Sequence, residues 1–388
     1  MSKEKLDGQP IDQHDQHSRV ITEPRLAKYF RATIKQEASD LHLKANTPPH
    51  IRIQGTMMAT NVPALTGPEI EEMVKELLTP KQAAYLEEHG SIDIAHDIPG
   101  SDRFRINIYR QRGELSMAAR RVPAMIPDFK SLNLPATLAQ ICEHHQGLIM
   151  LAGITGSGKS TTIASMLEFI NQRRRCHIVT IEDPIEYIYV DKKALVNQRE
   201  IGIDVPNFEA ALKYLMREDP DVILIGEMRD RETFQAALQA SETGHLVFGT
   251  VHASSAGQTI ARILDLFEPD SRPLIRQSMA YNLQAIVCQK LLPCLKEAIG
   301  RVPAVEVLLA SPTVRKFIEE GREGDLLEVL NASGEQGMKD FNKSLMELIE
   351  TEMIDPRVAY AASPNPEELR MRMKGITSSR GGLIGRGA

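Results

Sequence analysis

Gly153-Ile154-Thr155-Gly156-Ser157-Gly158-Lys159-Ser160 is the stretch that decides the fold. The apolar run Leu148–Ala152 enters it. Thr161 to Ile170 leave it with helical periodicity, so the segment reads as strand, loop and helix. This is the full phosphate-loop pattern in its proper context. Glycines are required where the backbone curls to point its N–H groups at phosphate oxygens. The following helix adds free N–H donors and partial positive charge. The expected nucleotide contacts are Gly153, Thr155, Gly156, Ser157, Gly158, Lys159, Ser160 and Thr161. Lys159 reaches the β and γ phosphates, and the Ser160 hydroxyl is a magnesium ligand.

Three clusters downstream turn a nucleotide grip into a hydrolysis site. Thr180-Ile181-Glu182-Asp183-Pro184-Ile185-Glu186 closes an apolar strand with acids. Acids at the carboxyl end of a strand beside a phosphate loop are placed to polarise water or support a metal. Glu186 is the candidate general base, with Glu182 and Asp183 orienting it. Val222–Ile225 followed by Gly226-Glu227-Met228-Arg229-Asp230 has the form of a Walker B strand. Glu227 is expected in the magnesium shell, and Arg229 is expected to pair with Asp230. In Thr243-Gly244-His245-Leu246-Val247-Phe248-Gly249-Thr250-Val251-His252, one histidine enters a buried strand and another leaves it. Both are candidates for sensing the γ phosphate, and their spacing makes a poor metal site.

Short apolar runs recur between about 136 and 275 with helical patterns between them, which indicates an α/β domain around a largely parallel sheet. Before it lies a different texture. A helix is expected from Glu23 to about Lys35. A hairpin follows at Asp40–Lys44 and His50–Gly55, then one helix over 67–89 and two strands at Ser91–His96 and Arg103–Arg110. The domain reading is a flexible arm at 1–20, an α+β domain at 21–120 and a proline-punctuated hinge at 121–135. An ATPase domain occupies 136–355, with C-terminal helices at about 273–292, 311–320 and 338–350. A partly disordered tail is expected at 356–388. Arg103, Arg105, Arg110, Arg112, Arg120 and Arg121 crowd just before the hinge. If brought to the nucleotide, from the same chain or a neighbour, they would stabilise charge on the leaving phosphates.

The totals set limits. The chain has 388 residues and formal net charge -6, which argues against broad nucleic-acid coating. The four cysteines, Cys142, Cys176, Cys288 and Cys294, form no CxxC pair and read as buried thiols in a reducing compartment. The polar start shows no apolar signal core, and no run approaches the roughly 18 apolar residues of a membrane span. A cytoplasmic protein that docks on a membrane partner is the expectation.

Taken together, GITGSGKSTT, ITIEDPIEY, REDPDVILIGEMRD and TGHLVFGTVHA occur in the order found in the secretion-type ATPase superfamily. The chain resembles its type IV pilus retraction branch, the PilT/PilU family. GSDRFRINIYRQRG followed by ARRVP is similar to the arginine-bearing end of that family's PAS-like amino-terminal domain. The resemblance implies a RecA-like P-loop ATPase core with a smaller PAS-like α+β N-terminal domain. It implies ATP and Mg2+ as ligands. It makes Glu186, Glu227, Lys159, His252, Arg105 and Arg120 catalytic, with His245, Arg103 and Arg112 at the nucleotide. It further implies a homo-hexamer that acts on an inner-membrane platform protein at the pilus base, with a mixed ring or paralogous motor subunit as a variant. Thr313–Gly321 loosely echoes the family's carboxy-terminal retraction signature. The tetracysteine element of several assembly and secretion ATPases is absent. A pilus-assembly or type II secretion ATPase and a RecA-like nucleic-acid translocase are the alternatives.

Two substitutions test the site. Lys159→Ala is expected to abolish ATP hydrolysis by removing charge from the phosphates. Glu186→Gln is expected to keep ATP binding and suppress turnover, and turnover at the parental rate would rule out Glu186 as the base.

Overall fold

The computed structural model describes residues 23–53, 55–332 and 337–375. The expected arm at 1–20 and the end of the expected tail lie outside them. The described chain forms two compact units that divide between Val122 and Pro123.

The smaller unit runs α1 (Ala27–Lys35), β1 (Asp40–Leu43), β2 (His50–Ile53), β3 (Thr56–Ala59), α2 (Gly67–Lys75), α3 (Pro80–His89), β4 (Ser91–Asp97), β5 (Arg103–Gln111) and β6 (Glu114–Val122). Its strands make one six-stranded sheet in the order β3-β2-β1-β6-β5-β4, antiparallel throughout. In β5 the alternation is plain: Phe104, Ile106 and Ile108 are buried, while Arg103, Arg105 and Asn107 point to the other face. Phe30 of α1 stacks on Phe104 at 4.5 Å between ring centroids.

Two sequence expectations change here. The helix expected over 67–89 is two helices. Thr66 and Thr79 each build a capping box, with Glu69 and Gln82 respectively, and each is followed by a proline in the first turn. The second Thr-Pro signal restarts the helix. The sheet also holds β3 and β6, which the sequence reading lacked. Arg121 and Val122, assigned to the hinge, are the end of β6, and Arg121 Nε is ion-paired with Asp102.

The larger unit runs α4 (Thr137–Ile141), β7 (Gly147–Ala152), α5 (Lys159–Arg173), β8 (His177–Glu182), β9 (Leu195–Glu200), α6 (Phe208–Leu215), β10 (Val222–Ile225), α7 (Arg231–Glu242), β11 (Leu246–Val251), α8 (Ala256–Asp265), α9 (Arg272–Asn282), β12 (Leu283–Pro293), β13 (Arg301–Leu309), α10 (Pro312–Glu319), α11 (Leu326–Ala332), α12 (Phe341–Glu350), α13 (Pro356–Ala362) and α14 (Pro366–Met373). The sheet order is β13-β12-β7-β11-β10-β8-β9, parallel except for the β12–β13 pair. β7 is buried at every position. Leu148, Met150 and Ala152 join one apolar cluster, and Ile149 and Leu151 join the other. A strand covered on both faces must be apolar throughout, which is why these runs look continuous in sequence.

The expected helix over 273–292 stops at Asn282, and 283–293 is a strand. Ile286, Cys288 and Leu292 face one cluster while Ala285 and Val287 face the other, so the period is two. The expectation of buried thiols holds for Cys142 and Cys288. Cys176 and Cys294 are half-buried.

The segment 356–373, part of the tail expected to be partly disordered, is two packed helices. Leu369 is fully buried in the core, and Arg372 donates to Asp340 Oδ2 at 2.8 Å. Asp340 in turn caps α12 through Lys343 N at 2.6 Å. Lys290 Nζ donates to the Ala362 carbonyl at 2.6 Å. Leu369→Ala is therefore expected to destabilise the chain by about 2–5 kcal/mol, read as a lowered urea midpoint. A change near zero would mean that the terminal helices are not part of the core.

Candidate active site

β7 is central in the sheet, with β11 on one side and β12 on the other. That is a topological switch point, and a crevice beyond the carboxyl ends of the strands follows from it. A cavity of 540 Å³ opens there, and its lining lies wholly within the larger unit.

The loop between β7 and α5 forms its floor. Gly153 N donates to Val251 O at 3.3 Å, and Ser157 N to Ile154 O at 3.2 Å. At Gly153 a Cβ would meet Ser157 Oγ at 2.4 Å and the Gln289 carbonyl at 2.6 Å. Gly158 has φ 93, and a Cβ there would meet Gln289 Nε2 at 2.6 Å. Ser157 Oγ is buried with no hydrogen-bond partner. Lys159 Nζ donates to the carbonyls of Gly153 at 2.7 Å and Ile154 at 3.2 Å, which folds it over the loop. Burial lowers the Lys159 pKa from the ordinary lysine range, an effect that Glu227 opposes. A loop that lacks a Cβ at Gly153, Gly156 and Gly158, an orphaned hydroxyl and a partly desolvated ammonium fit a polyphosphate. Ile154 is exposed, and Thr155, Gly156, Ser160 and Thr161 line the cavity.

The acids stand on the β8–β10–β11 side. Glu182, Asp183, Glu186, Glu227 and His252 all line the cavity. Glu182 is buried and accepts from Thr180 Oγ1 at 2.6 Å and Gln198 Nε2 at 3.2 Å. Burial pushes its carboxyl up to about 7, against the pull of those hydrogen bonds. Asp183 and Glu186 are exposed. The next residue, Tyr187, ties this segment to α5 through a 2.9 Å hydrogen bond between its hydroxyl and Thr161 Oγ1.

Glu227 meets Arg229 through Oε2 and His252 Nε2 through Oε1, the latter at 2.9 Å. The hydrogen bond from Arg229 holds the Glu227 carboxyl below the usual carboxylate range. The expected Arg229–Asp230 pair does not form, because Asp230 is the N-cap of α7 and accepts from Thr233 N at 2.8 Å. Ser160 and Glu227 offer a hydroxyl and a carboxylate, oxygen donors suited to a magnesium ion shared with phosphates and water. Among the described residues no group of three or more His, Cys, Asp or Glu side chains could hold a metal without such help.

His245 does not reach this site. It precedes β11, whose first residue pairs with Gly147 at the start of β7, whereas the loop follows Ala152 at the end. Its Nδ1 lies 2.9 Å from the Ala240 carbonyl and 3.2 Å from Thr243 Oγ1. It closes the turn after α7 at the opposite end of a parallel strand from His252.

Arg103, Arg105, Arg112 and Arg120 belong to the smaller unit, and none of them lines the cavity. Arg105 opposes Arg120 across β5–β6, and Asp40 opposes Arg120 across β1–β6. Arg120 Nε donates to Asp40 Oδ1 at 3.0 Å. Burial favours the neutral form of Asp40, yet hydrogen bonds from Ser39 and Arg120 keep its carboxyl below the usual range. Arg103 lies 3.7 Å from Asp97 Oδ1. Arg112 is exposed in the β5–β6 turn, with φ 51.

Several lining or supporting residues carried no sequence motif. Gln198 comes from a strand the sequence reading lacked. Leu291 and Arg301 line the cavity from β12 and β13, on the other side of the loop from the acids. Buried Gln289 accepts from Thr162 Oγ1 at 2.8 Å behind the loop. Its only signal is a polar side chain inside an apolar strand.

Similarity to known proteins supplies the family. The family model described as "Type II/IV secretion system protein" matches residues 129–368. The chain belongs to this family. It is 38% identical to the type IV pilus retractation ATPase PilT of Pseudomonas aeruginosa over 333 residues, covering 86% of this chain and 96% of that protein. It is 35% identical to the type IV pilus ATPase PilU of the same organism over 347 residues, covering 89% and 91%. A crystal structure of the pilus retraction motor PilT with bound ADP superimposes with a TM-score of 0.82 at 42% identity, covering 90% of this chain and 99% of that one. The family member described here is thus a RecA-like P-loop ATPase with a smaller α+β amino-terminal domain, and its membership implies use of ATP and Mg2+.

The raised value of Glu182 gives a signed prediction. Between its ordinary 4.5 and about 7 the folded state binds the proton more tightly than the unfolded chain. Its contribution to stability is therefore full below pH 4.5 and is lost as pH rises through about 7, by up to about 3 kcal/mol. Glu182→Gln should remove that part of the pH dependence in nucleotide-free thermal melts from pH 5 to 8. Identical profiles for the two proteins would refute the buried, raised carboxyl.

Proposed function

We propose that this ATPase is a motor of type IV pilus retraction. The observation that carries the reading is the nearly full-length match to PilT, which extends beyond the segment matched by the family model. A P-loop core alone would fit many machines. In the proposed cycle, Lys159 and the loop amides hold the phosphates. Ser160, through its hydroxyl, and Glu227, through water, would hold a magnesium ion, which would supply neutralising charge at the phosphates. Glu186 takes the proton of the water that attacks the γ phosphate. Glu182 and Asp183 orient that segment. His252, in contact with Glu227, reads loss of the γ phosphate. Arg105 and Arg120, together with Arg103 and Arg112, supply positive charge to the leaving phosphates from the same chain or a neighbour.

The working form is a homo-hexamer, with a mixed ring of this chain and a paralogous motor subunit as a variant. Hydrolysis swings the smaller unit through the segment after β6 and moves a platform protein of the inner membrane at the pilus base. No helix among the described residues is long and apolar enough to cross a membrane. The proposed location is the cytoplasmic side of the inner membrane, held there through the pilus machine. No nucleic acid is part of the reading.

Deleting the gene is the decisive test. Surplus surface pili and loss of surface-associated movement are expected, with recovery on re-expression of the parental chain but not of Lys159→Ala. Bald cells would replace retraction with assembly or secretion.

A further inference from the structure

Behind the cavity, on β13, lies a carboxylate that none of the motifs contains. Glu306 is 3% exposed, and its Oε1 accepts from the backbone N–H of Ala256 at 2.8 Å. Ala256 is the first residue of α8, whose free N–H groups and partial positive charge attract an anion. The chain between β11 and α8 is only His252-Ala253-Ser254-Ser255. Its first residue touches Glu227, Ala253 and Ala256 are buried, and Ser255 caps α8 through Gln258 N. A short connection clamped at its far end has little freedom at its near end.

We propose that Glu306 is a positioning residue that anchors the start of α8 and so holds His252 against Glu227. It acts through the backbone and never touches the nucleotide. Its partner strand strengthens the argument. Glu306 opposes Cys288 on β12, and Gln289, the next residue, lies against Gly153 and Gly158. One hairpin therefore holds the phosphate loop at one position and the His252 connection at the next. This inference rests on the hydrolytic reading of the site and deepens it by adding a residue that the motifs omit.

The charged and titratable groups facing Glu306 are Lys290 and Cys288 from β12 and Asp340 from the start of α12. Asp340 is itself paired with Arg372. Burial pushes Glu306 up to about 7, so assays at pH 8 favour its ionised form.

The test compares the full-length parental chain, Glu306→Gln and Glu306→Ala at pH 8. Steady-state ATP hydrolysis is measured together with amide hydrogen exchange of the peptide spanning residues 252–256. Glu306→Gln keeps an acceptor oxygen and the side-chain volume but loses the charge. Glu306→Ala loses the acceptor. The expected order of kcat is parental, then Gln, then Ala, with the Ala variant down about tenfold, the scale of one charge-assisted hydrogen bond. KM for ATP should stay within about twofold, and exchange in 252–256 should quicken in the same order. Glu306→Ala with parental kcat and parental exchange overturns the proposal. So does a loss of kcat with unchanged exchange in 252–256, or one accompanied by faster exchange throughout the chain. Lys159→Ala reports separately on hydrolysis. If it leaves turnover intact, the site reading fails, while the exchange measurement still judges the anchor.

Discussion

The backbone between Ala152 and Lys159 has to turn in a space that leaves no room for a side chain at Gly153, where a Cβ would lie 2.4 Å from Ser157 Oγ. Everything at the site depends on that constraint. A parallel strand buried on both faces delivers the chain to the turn, and a helix leads it away with unpaired N–H groups at its start. Ser157 is left with a buried hydroxyl and no partner, and Lys159 is folded over the loop with its charge partly desolvated. An isolated peptide of the same sequence would have neither feature. The cost of burying these groups is offset by β11, β12 and the helices that cover the sheet, so the loop keeps this shape only in context.

The electrostatics divide the site between two kinds of carboxyl. Glu227 stays ionised because Arg229 and His252 contact both of its oxygens. Glu182 is buried at the end of β8 and held near neutrality at about 7 by loss of water. Two acids from neighbouring strands, a few side chains apart, therefore carry different charge at the same pH. That difference comes from burial and hydrogen bonding, and nothing in the local motifs distinguishes them. Glu306 repeats the second pattern away from the nucleotide, with a helix N-terminus as its partner.

How far the sequence could be read depends on how local each signal was. The phosphate loop, the acidic strand end at Glu182–Glu186 and the Walker B form at Glu227 were legible because each needs its residues at fixed spacing. The two helices at 67–89 read as one because the break at Thr79-Pro80 interrupts an otherwise continuous helical pattern. β12 looked helical because an apolar run carries no period until both of its faces are known. The two histidines of one motif looked equivalent. A parallel strand has two ends, and only His252 is at the end beside the loop. The helices at 356–373 looked like a tail because their few apolar residues, Leu369 among them, gain meaning only from the core they fill.

Sequence alone determined that a strand, a glycine loop and a helix would build a phosphate cradle, since the motif's glycines and lysine stand at fixed spacing between an apolar strand and a helical pattern. It also determined that a largely parallel sheet would carry the loop, because its strands had to be apolar on both faces. Tertiary structure decided which acids share the cavity and which histidine reaches it. It also placed Gln289 and Glu306 on one hairpin behind the loop. Those outcomes depend on strand order, and strand order is set by pairing between segments as distant in sequence as β7 and β12, which no local pattern encodes.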